Sequence, residues 1–284
     1  MITAWTGGRS SAVKILTGLS GLAFALGASL LIGPSPGQVR AMDGPEQVTT
    51  ALERSASARG KARALISSLK HDIRELDQSI LNSPFLDDLE QGNVTRHQLQ
   101  QFACDQFHIG ISDLRSMALL LSRYPTGDSS LLFQELLSGE IRSHPQLIRF
   151  AIAVGMNVQD LETCEPRAGS LAYAAYLASM AMHGNQADVA GAFLINFPVF
   201  GTNAARMGRA LQRPPYDLDT ADLGFFRFFG DGSEAFRESA LATLAEGIED
   251  GADSLQVRRS ARLLQEYEQL FWTTVHRRRK GSSE

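Results

Sequence analysis

The sequence predicts an all-α protein with about eight helices in one domain, beginning near residue 60. Apolar residues recur at spacings of three and four over long segments that end at proline or glycine. No segment alternates apolar and polar residues between turns, as a half-buried strand would, and no internal repeat is found. The chain has 284 residues, of which 44% are hydrophobic, and this is enough for one large core.

Charge and cysteine content narrow the classes of function. Lys and Arg number 27 and Asp and Glu number 31, so the net charge is -4 and no basic field attracts nucleic acid. We therefore expect no nucleic-acid partner. The two cysteines, Cys104 and Cys164, are too few for a disulfide framework, and we expect them to be free thiols.

Residues 1–41 differ in composition from the rest of the chain. A basic start, the apolar run 15–33 and a small-residue end are typical of a signal peptide or a single membrane anchor. Export, or membrane association through the apolar run, is then expected if Met1 is the true start. The alternative is a mis-annotated start, with Met42 opening a cytoplasmic protein. Residues 42–60 are poor in large apolar side chains and predict a flexible leader.

The first helices of the domain have clear limits. Apolar spacing predicts a helix over residues 65–81, which Pro84 follows closely. A short helix follows that proline and ends at Gly92. Thr95 has the character of an N-cap and begins a long helix over residues 95–121.

The same periodicity extends through the rest of the domain, which we place at residues 61–276. Further helices are predicted over residues 129–143, 146–154, 169–184, 187–213, 233–249 and 252–276. Pro145 is expected to begin the second of these, which puts His144 at a helix junction, and Pro198 is expected to interrupt the fourth. Residues 277–284 form a basic tail.

The helix at residues 95–121 carries polar groups on an inward face. Phe102, Asp105, Gln106 and Ile109 share one face at spacings of three, four and seven. The carboxylate of Asp105, and the imidazole of His108 three residues later, then lie among apolar side chains. Such groups serve packing, a metal or a ligand; the structural alternative for His108 is a core histidine bonded to a neighbouring carboxylate or carbonyl.

Two acid and histidine pairs suggest a metal. Asp105 with His108, and Glu140 with His144, resemble ligand pairs in the core of a helical bundle. A di-iron site of the ferritin type needs two complete Glu-x-x-His pairs and two further glutamates, which the chain does not supply. The structural alternative for Glu140 is a solvated acid at a helix end beside Arg142.

Glu268 lies between aromatic residues in the sequence Tyr267-Glu268-Gln269-Leu270-Phe271-Trp272. Burial among such neighbours raises the pKa of a carboxyl group and makes it a candidate general acid near neutral pH. The alternative is an exposed acid on the polar side of an amphipathic helix.

Several of these motifs together resemble a known family. Cys104-Asp105-Gln106-Phe107-His108, Gly139-Glu140, Leu194-Ile195-Asn196 and Tyr267-Glu268-x-x-Phe271-Trp272 are similar to motifs of the TenA/thiaminase II family (TenA/THI-4, PqqC-like). That family belongs to the haem-oxygenase-like superfamily, so the resemblance implies a haem-oxygenase-like multi-helix bundle. It also implies hydrolysis of a small aminopyrimidine in thiamin salvage, without a cofactor. The resemblance covers roughly residues 75–278.

The resemblance assigns roles to individual residues. Asp105 would bind the pyrimidine, and Glu268 would protonate the leaving group; both would be catalytic. Other ligand-binding residues would be His108, Tyr176, Asn196, Phe229 and Phe271. Three of these depart from the family: His108 and Phe229 stand where tyrosine is usual, and Asn196 stands where the family has its nucleophilic cysteine. An amide cannot replace a thiolate as nucleophile, so either direct hydrolysis or ligand binding alone is expected.

An iron-dependent oxidase is the alternative function, because the same superfamily has a di-iron branch. Asp105, His108, Glu140 and His144 would hold a weakly bound iron. The third ligand helix of that branch falls on Phe229, Ser233 and Phe236, which supply no such ligands. A non-catalytic ligand-binding member of the family is the third reading. In each case the expected partner is a small heterocyclic ligand, and a homo-oligomer is the alternative to a monomer.

Overall fold

Eleven α-helices and one 3-10 turn make up residues 45–277, the part of the chain that the computed structural model describes, and these residues contain no strand. The helices are α1 (Pro45–Asp72), α2 (Arg74–Leu81), α3 (Pro84–Glu90), α4 (Arg96–Arg123), α5 (Gly127–Ala153), α6 (Val158–Thr163), α7 (Ala168–His183), α8 (Gln186–Leu211), α9 (Gly224–Gly230), α10 (Glu234–Glu249) and α11 (Ser254–His276). The 3-10 turn is Thr220–Leu223. The predicted all-α class is confirmed.

The number of helices exceeds the prediction because some of them are short. Seven helices have 16 or more residues, and apolar spacing predicts most of their length. The other four, α2, α3, α6 and α9, have only six to eight residues. Two turns or fewer give too little periodicity to separate a short helix from a loop, and α6 was accordingly missed.

The N-terminal part of the domain differs from its prediction. Residues 45–60 are helical, so the flexible leader predicted over 42–60 is wrong from Pro45 onward. Ala58 and Ala62 are 3% and 0% exposed, and α1 packs along α10. Small side chains allow this close approach but give no strong apolar signal. The single helix predicted over 65–81 is divided at Ile73 into α1 and α2.

Two prolines lie inside helices, contrary to expectation. Pro145 is within α5 and Pro198 is within α8, so neither residue ends its helix. Each proline removes one backbone hydrogen bond, but buried side chains hold the helix on both sides of it. His144 therefore lies in the middle of a helix, and not at a junction.

Helix α4 begins as predicted and crosses the centre of the domain. The backbone N–H of Gln98 donates to Thr95 Oγ1 at 3.3 Å, and the N–H of Thr95 donates to Gln98 Oε1 at 3.1 Å, which is a complete capping box. Helix α4 packs mainly against α5 and α7, while α8 packs against α10 and α11. The ring of Phe102 lies 5.9 to 6.3 Å, between centroids, from four other aromatic rings: Phe85, Phe150, Phe226 and Phe271.

Cys104 and Cys164 form a disulfide, so the expectation of free thiols is wrong. The two cysteines are 60 residues apart in sequence, and their Cα atoms are 6.1 Å apart. The bond joins α4 to the residue that follows α6. Because the short helix α6 was not predicted, no local pattern indicated that the two cysteines lie close together.

The prediction of membrane association rests on residues 15–33, which the structure does not describe. Between residues 45 and 277, no helix has both the length and the apolar character needed to cross a membrane. The apolar run at 15–33, predicted as a signal or anchor, lies outside the described residues, and so do residues 278–284 of the basic tail.

Candidate active site

An enclosed cavity of about 60 Å³ lies in the middle of the domain, between α4, α5, α7, α8, α9 and α11. Its walls are largely apolar, with several aromatic side chains. Its polar lining consists of Gln106, Asp113, Glu140, Ser143, His144, Tyr173, Asn196 and Glu268. Leu136, Glu140, Phe197 and Phe229 also line an open cleft of about 980 Å³. These four residues therefore stand between the cavity and the cleft.

Asp113, on α4, is the buried acid of the cavity that sequence reasoning missed. Its side chain is 9% exposed, and Oδ1 has no hydrogen-bond partner among the described residues. Burial raises the pKa of this carboxyl well above its usual range, and the nearby charges of Glu140 and Glu268 raise it further. Both effects favour the protonated form of Asp113, which has one O–H to donate.

Glu268, on α11, is 3% exposed and faces the same cavity. Trp272 Nε1 donates to one carboxyl oxygen at 2.6 Å, and Asn196 Nδ2 is 3.4 Å from the other. Burial raises the pKa of Glu268 to about 7, although the two hydrogen bonds lower it. The predicted desolvation of this residue is confirmed.

Asn196, on α8, is held by its neighbours. Tyr173 Oη donates to Asn196 Oδ1 at 3.1 Å, and Asn196 Nδ2 donates to Gln265 Oε1 at 3.1 Å. Burial raises the pKa of the Tyr173 phenol, so this group stays protonated and keeps its donor role. The amide of Asn196 is thus fixed in orientation and can position the carboxyl group of Glu268.

Glu140 and His144 lie one turn apart on α5 and face the same point of α4. A Cβ atom added to Gly110 would lie 3.6 Å from His144 Nδ1 and 4.0 Å from Glu140 Oε2, so both side chains lie beside Gly110. Burial raises the pKa of Glu140 to about 7 and lowers the pKa of His144. The lowered pKa favours the neutral imidazole of His144, while a pKa of about 7 leaves Glu140 in both its protonated and its ionised form at neutral pH.

Asp105 has a different environment from the one that the family resemblance implies. Its carboxylate accepts from the backbone N–H of Arg167 at 2.9 Å, from Arg167 Nε at 2.8 Å and from Ser170 Oγ at 2.7 Å. Arg167 also donates to Thr274 O at 3.0 Å. Asp105 does not line the cavity, and it is not opposite Glu268 as the sequence predicts. Its contacts join α4 to α7 and α11.

The other predicted ligand-binding residues divide into two groups. Asn196, Phe229 and Phe271 line the cavity, together with Glu268. His108 and Tyr176 do not: His108 lies beside the disulfide, and the ring of Tyr176 packs against Tyr267 at 5.2 Å. Helical spacing explains why Tyr176 is not in the cavity: Tyr173 and Leu177 occupy the face of α7 that points to it.

The four predicted metal ligands do not converge. Glu140 and His144 line the cavity, whereas Asp105 and His108 lie on another side of α4. Among residues 45–277, the group of three or more His, Cys, Asp or Glu residues whose ligand atoms all lie within 4.8 Å is Cys104, His108 and Cys164. The predicted set is therefore not one site.

A signal for Asp113 was present in the sequence. Gln106, Ile109, Gly110 and Asp113 fall at spacings of three, four and seven, and all four line the cavity. The face predicted from the sequence, which starts at Phe102 and Asp105, shares Gln106 and Ile109 with this cavity-lining stripe. Following the pattern one turn further would have included Asp113 among the candidates.

The all-helical fold places the protein in the class of haem-oxygenase-like helical bundles. The model of the TENA/THI-4/PQQC family matches residues 70–278, and the chain belongs to this family. An aminopyrimidine aminohydrolase of Halalkalibacterium halodurans is 26% identical over 129 residues. The match covers 45% of this chain and 58% of that relative, so it spans little more than half the length of the enzyme.

Solved structures agree on the fold. A TenA homologue from Pseudomonas syringae pv. tomato has a TM-score of 0.64 at 11% identity, with 74% of this chain and 91% of that chain covered. A TenA homologue from P. horikoshii has a TM-score of 0.59 at 17% identity, covering 74% and 97%. A domain of unknown function with a heme oxygenase-like fold, from Shewanella denitrificans, has a TM-score of 0.59 at 17% identity, covering 74% and 90%.

Proposed function

We propose that this protein hydrolyses a small amino-substituted pyrimidine, replacing an amino group by a hydroxyl: R–NH2 + H2O gives R–OH + NH3. The observation that carries the proposal is a set of three carboxyl groups around one cavity with aromatic walls: Asp113 and Glu268 are buried, and Glu140 is half-buried. Membership of the family and the partial similarity to an aminopyrimidine aminohydrolase support it.

Asp113 is suited to hold the heterocycle. A neutral carboxylic acid has one O–H donor and one carbonyl acceptor side by side. The edge of an aminopyrimidine presents a ring nitrogen that accepts beside an amino group that donates. The two edges are complementary, and the unpartnered Oδ1 of Asp113 is free to take part among the described residues. In this proposal Asp113 takes the binding role that the sequence assigned to Asp105.

Glu268 and Glu140 are suited to acid and base catalysis. In its protonated form Glu268 gives its proton to the leaving amine, so that ammonia departs as a neutral molecule. In its ionised form Glu140, at the boundary with the open cleft, takes a proton from the attacking water. The pKa of each group is about 7, so both forms are populated at neutral pH.

Asn196 explains why we propose direct attack by water. By the family resemblance, Asn196 stands where the family has its nucleophilic cysteine, and amides do not form covalent intermediates of this kind. Its hydrogen bonds to Tyr173 and Gln265 leave it to position Glu268. The water then forms the new C–O bond, and the C–N bond breaks in the same reaction.

The size of the cavity implies movement on binding. At about 60 Å³ the enclosed space is smaller than the roughly 150 Å³ cavity that accommodates benzene. Phe197 and Phe229, which separate the cavity from the cleft, have to shift to admit a heterocycle. Closure behind the ligand would then exclude bulk water.

The test is an assay of ammonia release from a panel of amino-substituted pyrimidines. We expect at least one to be hydrolysed, and Glu268→Gln to lower kcat by about a hundredfold to ten-thousandfold, the usual contribution of a general acid. Glu266→Gln is the matched control, because Glu266 is on the same helix but exposed and paired with Arg262. Its kcat should equal that of the wild type.

Two outcomes would contradict the proposal. Full activity in Glu268→Gln, with Glu268 replaced in a folded protein, would exclude it as the acid. Ligand-induced stabilisation without ammonia release from any pyrimidine would identify a binding protein, since any ligand specific for the folded state raises its Tm.

An iron-dependent oxidase is the second candidate, and the approach of Glu140 and His144 to one point beside Gly110 favours it. Metal analysis of the purified protein distinguishes the two functions. One iron per chain that is lost in both Glu140→Gln and His144→Ala would favour the oxidase and contradict the hydrolase.

A further inference from the structure

We propose that Cys104, Cys164 and His108 form a second site, which binds a soft divalent metal such as Zn²⁺ when the disulfide is reduced. The disulfide and the metal then exclude each other, because both use the same two sulfur atoms. This site is separate from the cavity, and the proposal does not depend on the hydrolytic function.

The three side chains already converge. Their candidate ligand atoms all lie within 4.8 Å of one another, and Cys164 Sγ is 3.8 Å from His108 Nε2. Tetrahedral zinc with Zn–S near 2.3 Å and Zn–N near 2.0 Å places sulfur and nitrogen about 3.6 Å apart. The contact between His108 and Cys164 is thus close to the geometry that zinc requires, and the two sulfur atoms need only separate on reduction.

Secondary structure favours the same grouping. Cys104 and His108 are one turn apart on α4, so their side chains lie on the same side of a rigid helix. Cys164 ends the short helix α6 and begins the connection to α7, where the backbone can adjust. Apart from its contact with Cys164, His108 makes no hydrogen bond within residues 45–277.

The site is open to solvent on one side. Cys104 is buried, whereas His108 and Cys164 are half-buried, so a reductant and a metal ion can reach them. Three protein ligands leave the fourth tetrahedral position for water. Zinc prefers thiolate and imidazole ligands, and this donor set matches that preference.

The chemistry balances with an external dithiol. The reductant passes two electrons and two protons to the disulfide, giving two cysteine thiols and an oxidised dithiol. Binding of Zn²⁺ to both sulfur atoms then releases the two thiol protons. Reoxidation requires the metal to leave.

Cobalt binding tests the proposal, because Co²⁺ replaces Zn²⁺ and its thiolate complexes absorb in the near ultraviolet and visible. Full-length protein, reduced with a phosphine, should bind one Co²⁺ per chain with a thiolate charge-transfer band, and Zn²⁺ should displace it. The oxidised protein should show no such band. His108→Ala should weaken Co²⁺ binding about tenfold or more, since even loss of an outer partner of a metal ligand costs about 10–100-fold.

The controls separate metal binding from loss of structure. His108→Ala keeps both cysteines, so its oxidised form retains the disulfide that stabilises the fold. His183→Ala, at the exposed end of α7, should bind Co²⁺ like the wild type. The double variant Cys104→Ser with Cys164→Ser should lose the band. Absence of the band from reduced wild type, or equal affinity in His108→Ala, would overturn the proposal.

Discussion

Helix α4 carries two buried aspartates, two turns apart, in opposite environments. Asp105 is 0% exposed, and its carboxylate is bound by Arg167 and Ser170. Asp113 is 9% exposed, with one oxygen unpartnered among the described residues and two other acids nearby. Asp105 is paired with a cation and accepts several hydrogen bonds, whereas Asp113 has neither among the described residues.

This difference separates a structural acid, Asp105, from the acid that we propose binds the ligand, Asp113. A buried carboxylate is costly unless a cation and hydrogen bonds compensate for lost hydration. Asp105 has that compensation and links α4 to Arg167, at the start of α7. Asp113 has no such compensation among the described residues, so burial favours its protonated form, which is the form that the proposed binding role requires. Burial alone, which the two residues share, does not distinguish these roles.

Replacing Asp105 gives the largest change in stability that the comparison predicts. Asp105→Asn leaves the Arg167 guanidinium without its counter-charge and should lower the free energy of unfolding by about 3 kcal/mol. This is the low end for a broken buried pair, because the Arg167 side chain is 20% exposed. Urea denaturation measures the effect.

Asp113→Asn is the matched control for that measurement. It removes a carboxyl group whose ionised form is disfavoured by burial in the folded protein but not in the unfolded chain, so the free energy of unfolding at neutral pH should rise rather than fall. Equal destabilisation by the two substitutions would show that the ion pair of Asp105 does not set the residues apart.

The dependence of stability on pH should come from the cavity acids. The pKa of Glu268 rises from 4.5 to about 7 on folding, so the folded state holds its proton while the unfolded chain releases it. The stabilisation that comes from the Glu268 proton is fully present below the pKa of this group in the unfolded chain, and it is lost as the pH rises towards 7. Each such group contributes a slope of up to about 1.4 kcal/mol per pH unit.

Urea denaturation at about pH 5 and about pH 8 measures this loss, which follows from proton linkage. Glu268→Gln and Asp113→Asn should each reduce it. His144, whose pKa is lowered, makes a contribution to stability that increases with pH, opposite to that of the acids. The contribution of each acid is therefore obtained from the difference between the wild type and the variant that lacks that acid. An unchanged difference between the two pH values in both variants would contradict the assigned burial effect.

Local sequence signals predicted much of the fold. Thr95 and Gln98 are close in sequence and form a cap that depends on nothing else, so α4 begins as expected. Helices with long apolar stripes were found for the same reason. Helices α5 and α8 continue through Pro145 and Pro198 because residues distant in sequence pack against them, and local sequence patterns do not reveal such contacts.

The same distinction applies to the site. Glu268 was identified because its aromatic neighbour Trp272 is four residues away on one helix. The partner of Asp105 is Arg167, 62 residues away, and nothing local indicates their contact. The disulfide between Cys104 and Cys164 spans a similar distance. Without these contacts, Asp105 and Asp113 are indistinguishable as buried acids.

The smallest predicted effect tests the protonation of Asp113 directly. An asparagine side chain has one carbonyl acceptor and an N–H donor, much like a neutral carboxylic acid. Asp113→Asn should therefore keep the Kd for a bound aminopyrimidine nearly unchanged. Asp113→Leu, of similar size, removes both groups and should raise Kd about fivefold or more, since one net hydrogen bond contributes about 1 kcal/mol.

Isothermal titration of the ligand found in the hydrolysis assay measures both constants. Because the side chains of asparagine and leucine differ in hydrogen bonding more than in size, a loss of affinity in Asp113→Leu alone identifies the hydrogen bonds as the cause. Equal loss in both variants would mean that the ligand requires a negative charge at Asp113. The counter-charge for Asp113 would then have to come from the ligand.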